Sequence, residues 1–245
     1  MTKTEIRFAD VHAAEPRSEG WISRATRHPF FAWAGLRPPM AQHTEAEHRA
    51  LEKYARGCRS LVEIGVAEGA SAIALRTSMN PEGMLYLVDP FHLSRAPMLN
   101  SLRRAAHRAV SIKGGPEIVW IEAFSHDAAR SWERPIDFLL IDGDHREEAV
   151  EQDWNDWSPH FVDNGVVVFH DARLFPRGWT SEHYGPVRFV NRIFRRNPSP
   201  GWIICEEVDS LVFVGRKTGF LTVFRGARPS GGRPPTPYVF CKCCI

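Results

Sequence analysis

The stretch EIGVAEGAS, residues 63–71, decides how this chain is read. It closes the apolar run SLVEIGV (60–66) and passes through Gly65 and Gly69 into alanine-rich sequence. An apolar run that stops at a glycine turn and resumes with helical character opens a strand-to-helix unit. Glycines there let backbone amides approach a ligand, and the helix N-terminus favours negative charge. The spacing is not G-x-G-x-x-G, so the dinucleotide fingerprint is absent, and a plain strand-to-helix turn is the alternative.

Outward from this unit the rhythm repeats. MLYLVDP (84–90), EIVWIEA (117–123), IDFLLID (136–142) and GVVVFHD (165–171) are further strand candidates, separated by longer amphipathic segments. That alternation predicts an α/β fold with a parallel sheet and crossover helices. Upstream, Thr44 and Glu47 make a capping box, and Ala46, Ala50, Leu51 and Tyr54 recur at helical spacing, which predicts a helix over 45–56. Val150, Trp154 and Trp157 share a helical face that reads as core, with Glu147, Glu148, Glu151 and Asp156 toward water. Asp163-Asn164-Gly165 reads as a turn before the fifth strand. A short helix over 185–194 follows, then WIICEEV and LVFVGRK around Asp209-Ser210, an antiparallel hairpin. Residues 44–217 thus form the domain. Residues 1–43 read as an irregular arm whose Trp21, Phe30, Phe31 and Trp33 cover part of the core or the site, and 218–245 as a flexible Gly/Pro/Arg-rich tail.

Composition excludes some classes of function. Lys and Arg total 31 against 29 Asp and Glu, so bulk charge gives no reason to expect nucleic acid. The basic run SLRRAAHRAV (101–110) reads as a solvated helix face. No apolar run is long enough for a bilayer and the N-terminus lacks a secretory core, so a cytoplasmic location without membrane attachment is expected. Cys58 and Cys205 are isolated and Cys241, Cys243 and Cys244 crowd the end, which spells no disulfide framework.

In open α/β sheets ligands bind beyond the carboxyl ends of the strands. Asp89 ends the second run about twenty residues past the glycine turn, where a carboxylate can accept from the hydroxyls of a ribose. After the third run, Ser125 caps the next helix, contacts an adenine, or does both. The fourth and fifth runs end in IDGDH and FHD. Adjacent strands would bring Asp142 to His170 and Asp171, a group able to hold a divalent cation that acidifies a bound hydroxyl. His145, with a pKa near neutrality, can serve as general base, and Asp144 reads as a helix cap. The bland alternatives are a surface His145 and a hydrogen-bonded core His170.

EIGVAEGAS, Asp89, AFSHD, IDGDH and FHD, in that order, resemble the class I S-adenosylmethionine (SAM)-dependent methyltransferases. The likeness is greatest to the small-molecule O-methyltransferases related to catechol and to antibiotic and sugar O-methyltransferases. The resemblance implies a Rossmann-like, doubly wound, mostly parallel seven-stranded sheet with an antiparallel final hairpin. It implies that Glu63, Gly65, Gly69 and Ser71 surround the methionine portion of SAM, that Asp89 binds the ribose, and that Ser125 and His126 lie near the adenine. It implies a metal at Asp142, His170 and Asp171 and a base at His145. His170 departs from the pattern, because magnesium prefers oxygen donors and an imidazole favours manganese or iron. The expected reaction is methyl transfer to a hydroxyl of a small molecule, with RLFPRGWTSEHYG (173–185) and the arm shaping the acceptor pocket. A homo-oligomer is compatible with this. The alternatives are a nucleotide-sugar transferase using Asp142-Gly143-Asp144 as its cation motif, and a non-catalytic cofactor-binding module.

Overall fold

The computed structural model describes residues 28–91, 100–111, 114–197 and 199–216. The expected tail, and Trp21 of the arm, lie outside the described residues. Seven strands form one sheet: β1 (Ser60–Ile64), β2 (Met84–Val88), β3 (Glu117–Ile121), β4 (Ile136–Ile141), β5 (Phe161–Phe169), β6 (Trp202–Val208) and β7 (Leu211–Arg216). Their spatial order is β3-β2-β1-β4-β5-β7-β6. The first five are mutually parallel and β7 is antiparallel to both β5 and β6, which is the doubly wound sheet with a reversed hairpin that the sequence predicts.

Side-chain alternation along each strand feeds a core on either face of the sheet. Leu61, Leu85, Phe138 and Val168 pack on one side with the helices Glu45–Ala55 (α2) and Ala70–Ser78 (α3). Val62, Tyr86, Leu139 and Val167 pack on the other with Val150, Trp154 and Trp157 of the helix Glu147–Trp157 (α6). The strand order reverses between β1 and β4, so the ligand crevice belongs above their carboxyl ends.

Several local expectations change. The strands stop one or two residues earlier than their apolar runs, which leaves Gly65, Asp89, Asp142 and His170 on the loops just past the ladder. Asp163-Asn164-Gly165 lies inside β5, not before it: Ile136 pairs Phe161 and Phe138 pairs Val166, so the three residues bulge against a shorter partner. The arm is not wholly irregular, since Pro29–Trp33 forms a helical turn (α1) with His28 accepting from Phe30 N–H at its start. Its aromatics are not core: Phe30 is exposed, and Trp33 lies under the guanidinium of Arg104, 4.9 Å from it, in the helix Ser101–Val110 (α4). The helix over 185–194 is an α-helical turn, Gly185–Val190 (α7), that widens into a π-helical one at Asn191–Arg196. Glu147 is not merely solvated either, because Arg188 and Arg192 reach it at 2.9 and 3.0 Å.

Thr44 and Glu47 form the capping box at the start of α2, and Glu47 also ties that helix to the β6–β7 turn. Its buried carboxylate accepts from Thr44 N–H at 2.7 Å, Ser210 N–H at 2.7 Å and Ser210 Oγ at 2.6 Å. Glu47→Ala strands these donors, and a stability loss of about 3 kcal/mol is expected in urea titration. An unchanged midpoint would refute this role.

Candidate active site

Gly65 leaves β1 with φ of +85°, a conformation that L side chains rarely adopt, and donates its N–H to Val88 O at 3.0 Å. A Cβ there would sit 2.1 Å from the carbonyl oxygen of Asp142, so the ends of β1 and β4 approach as closely as only glycine permits. Gly69, also at +85°, caps α3 at its N-terminus. Asp89 holds the turn between them by accepting from Val66 N–H at 2.9 Å and Ala67 N–H at 3.3 Å, and from Phe91 N–H at 2.8 Å.

Over this crevice lies a cavity of about 490 Å³. Gly65, Asp89, Ser125, His126 and Asp142 line it, so five of the sequence-derived residues converge on one space. Glu63, Gly69 and Ser71 are not among its lining residues. Ser71 donates to the Glu63 carboxylate, whose other oxygen is buried without a hydrogen-bond partner. Burial pushes the Glu63 carboxyl up to about 8, against the hydrogen bond from Ser71. A folded acid that holds its proton more tightly than the unfolded one stabilises the fold below pH 4.5, and that stability is lost as pH rises toward 8. Glu63→Gln mimics the protonated group, so its stability should decline less than that of the wild type across this window, the difference reaching about 1.4 kcal/mol per pH unit at most. Parallel pH–stability curves would contradict this.

Ser125 does not cap its helix, Ser125–Ala129 (α5); Phe124 occupies the N-cap position, with no side-chain capping hydrogen bond there. The Ser125 hydroxyl accepts from Trp157 Nε1 at 2.8 Å, and His126 is pinned by Asp156 at 2.8 Å. Asp144 is not the cap of α6 either. Arg146 occupies that position, and its guanidinium grips Asp144 at 2.6 Å. In a cation motif built on Asp142 and Asp144, the second carboxylate is held by Arg146.

Beside the cavity the β4 and β5 ends form one charged group. His145 Nε2 stands 3.3 Å from Asp142 Oδ1, and its Nδ1 stands 3.6 Å from Asp171 Oδ2. His170 Nδ1 lies 2.9 Å from Asp142 Oδ1 and 3.5 Å from Asp171 Oδ1. Asp171 has φ of +52° and takes a 2.6 Å hydrogen bond from Trp179 Nε1, which draws the 173–185 segment onto the site. Burial would raise the Asp142 carboxyl, but the charge of His170 and hydrogen bonds from both histidines hold it well below the usual range. Burial likewise opposes a charge on His170, yet Asp142, Asp171 and Glu47 together lift it well above the ordinary imidazole value. His145 is raised by its hydrogen bond to Asp142, against its own burial.

Ligand atoms of Asp142, His145 and His170 lie within 4.8 Å of one another. The set drawn from the resemblance, Asp142, His170 and Asp171, shares two of these residues; Asp171 lies beside them with Oδ1 taking the Trp179 hydrogen bond and Oδ2 3.6 Å from His145 Nδ1. One carboxylate and two imidazoles suit manganese, iron or zinc better than magnesium. His170 Nε2 is also buried without a hydrogen-bond partner, so that nitrogen is a ligand for a cation once the ring is neutral. The group fits a transition ion.

Gln42 and Asp153, which the sequence reading passes over, also line the cavity. Asp153 carried a signal: it falls on the same helical stripe as Val150, Trp154 and Trp157, where an acid is out of place. Gln42 carried none.

Residues 62–172 match the family model of a methyltransferase domain, a span from β1 to just past the His170-Asp171 pair. The sheet is shared with the O-methyltransferase TomG of Streptomyces achromogenes, involved in tomaymycin synthesis and solved with SAM. The TM-score is 0.54 at 16% identity, covering 78% of this chain and 88% of that one. It is shared with an O-methyltransferase of Bacillus cereus solved with S-adenosylhomocysteine (SAH), at TM-score 0.51 and 16% identity over 77% and 89% of the two chains. It is also shared with a protein described as an rRNA methylase of Clostridium thermocellum, at TM-score 0.51 and 11% identity over 70% and 94%. Likenesses this remote define the fold alone. With the match to a methyltransferase domain over residues 62–172, they give this chain the Rossmann-like fold of the class I SAM-dependent methyltransferases. No helix among the described residues is long and apolar enough to cross a membrane.

Proposed function

We propose that the protein transfers the methyl group of SAM to a hydroxyl oxygen of a small molecule, with His145 as general base. The observation that carries this reading is His145 itself, an imidazole between the carboxylates of Asp142 and Asp171 at the rim of the cofactor cavity. SAM brings its own leaving group, so the chain has to orient the two reactants and remove one proton. Asp142 and Asp171 orient the ring of His145 and stabilise it once it has taken that proton. His170, charged and buried, keeps Asp142 ionised for this task. The segment 173–185, tied down through Trp179, gives the acceptor side a wall of Arg, Trp and Tyr suited to a polar ligand.

The three convergent ligand atoms favour a second reading, in which Asp142, His145 and His170 hold a transition ion. Such an ion, when bound, lowers the pKa of a coordinated hydroxyl. Transfer of labelled methyl to a panel of phenols, sugars and hydroxylated metabolites, with and without a chelator, tests both. Activity that survives chelation supports His145 as base. Loss on chelation and recovery with manganese or iron supports the ion. Labelling of RNA and of no small molecule would refute the acceptor class, and a protein that binds SAH yet labels nothing would point to a binding module.

A further inference from the structure

Of the carboxylates on the cavity, Asp89, Asp142, Asp144 and Asp153, the last is the buried one that neither the glycine turn, the proposed base nor Arg146 engages. Asp153 lies on the cavity-facing side of α6 with Ala149 and Arg146, is buried, and borders the part of the space enclosed by α5 and α6. The residue beside it there is Ser125, whose hydroxyl accepts from Trp157 and hydrogen-bonds Asp153. Ser125 has one proton, so it has no donor left for a ligand. His126 is engaged by Asp156. The Asp153 carboxylate, with about four acceptor positions of which Ser125 takes one, has acceptor capacity to spare and is the charged acceptor beside the neutral amide of Gln152.

The layout of the cavity assigns what comes there. The sulfonium must lie near Asp142 and His145, where the acceptor is deprotonated. The glycine turn with Glu63 behind it forms the end suited to the charged amino-acid portion, and Asp89 stands at the end of β2 between the two ends. The base is left with the α5–α6 end, where Phe124 lines the cavity. Adenine presents an amino group there, a donor that needs an acceptor.

We infer that Asp153 reads the amino edge of the cofactor's adenine, accepting a hydrogen bond from its N6–H. This rests on the reading of the cavity as the SAM site. Burial raises the Asp153 carboxyl to about 6, with Asp156 and Asp144 adding to the shift and Ser125 opposing it, so the acceptor form prevails at neutral pH. A base with a carbonyl at that edge meets this carboxylate acceptor to acceptor and is rejected.

Calorimetric titration of the full chain with SAH, S-inosylhomocysteine and the N6,N6-dimethyl analogue of SAH tests this. The wild type should bind SAH about 10–100-fold tighter than either analogue. In Asp153→Asn, whose amide can donate to a carbonyl, the preference for SAH over the inosyl compound should shrink to within about threefold. If Asp153→Asn does not fold, the dimethyl analogue still decides on the wild type, since it lacks both N6 protons. Equal affinity of the wild type for all three ligands overturns the inference and leaves the cofactor site intact. So does a variant that discriminates like the wild type. No binding of SAH by the wild type overturns the site reading and this inference with it.

Discussion

Replacing His145 by alanine is expected to lower the methyl-transfer rate by about 10²–10³-fold while SAH affinity stays within about twofold. The ring does not line the cavity, so SAH binding there has no reason to follow it. Proton removal from the acceptor does. The hydrogen bond to Asp142 raises the imidazole above its ordinary 6.5, against its burial, with the charges of Asp142 and Asp171 adding to the rise. Only the neutral ring is a base, so single-turnover rates should climb with pH through a value above 6.5. Asp142→Asn removes the charge and leaves only a neutral acceptor for the ring, and that limb should move toward acid. Stability runs the other way. A histidine whose folded pKa is raised stabilises the fold below its unfolded value, and loses that contribution as pH rises through the folded one. Over this window the enzyme gains activity as it loses stability. An alanine variant at the wild-type rate, or a limb that ignores Asp142→Asn, would remove His145 from the role.

How much of this was legible in the sequence follows from which interactions are local. The strands were readable because each is a short apolar run between turn residues, and buried parallel strands have that composition. The polar residues that end those runs were readable too, since the sheet topology delivers them to one edge. What escaped depends on packing between distant elements. That Ser125 would bond Trp157 in place of capping its own helix depends on how α6 lies against α5. That Asp171 would take a hydrogen bond from Trp179, eight residues away, depends on the path of the loop between them. The bidentate pair between Arg37 and Glu68, at 2.6 Å through both nitrogens, fixes the arm to the glycine turn across more than thirty residues. Nothing in the spacing of those two residues announces it.

The glycine of the opening motif offers the sharpest test of the fold's link to the site. Gly65→Ala is expected to cost about 2–5 kcal/mol of stability and to weaken SAH binding by more than about 100-fold. Two effects add. The first is conformational, since φ of +85° strains any residue with a Cβ. The second is steric. The new methyl would meet Asp142 O at 2.1 Å, Asp142 C at 2.6 Å and Gly143 Cα at 2.9 Å, and all three are backbone atoms. They cannot swing aside as a side chain would, because Asp142 N–H is bonded to Ile64 O at 2.9 Å and Gly65 N–H to Val88 O at 3.0 Å. Relief requires the carboxyl ends of β1 and β4 to part, which displaces Asp142 and the cavity above it together. Gly57 separates the two effects, for its φ is +79° and no atom lies within 4 Å of its Cβ position. Gly57→Ala should therefore show only the conformational cost, about 1–2 kcal/mol, with SAH affinity unchanged. Should urea titration and calorimetry find the two variants alike, the close approach of β1 to β4 is not what holds Asp142 in place. A Gly65→Ala protein that keeps its stability yet loses SAH would instead put the methyl in the path of the cofactor, and would locate the cofactor's backbone contact at that residue.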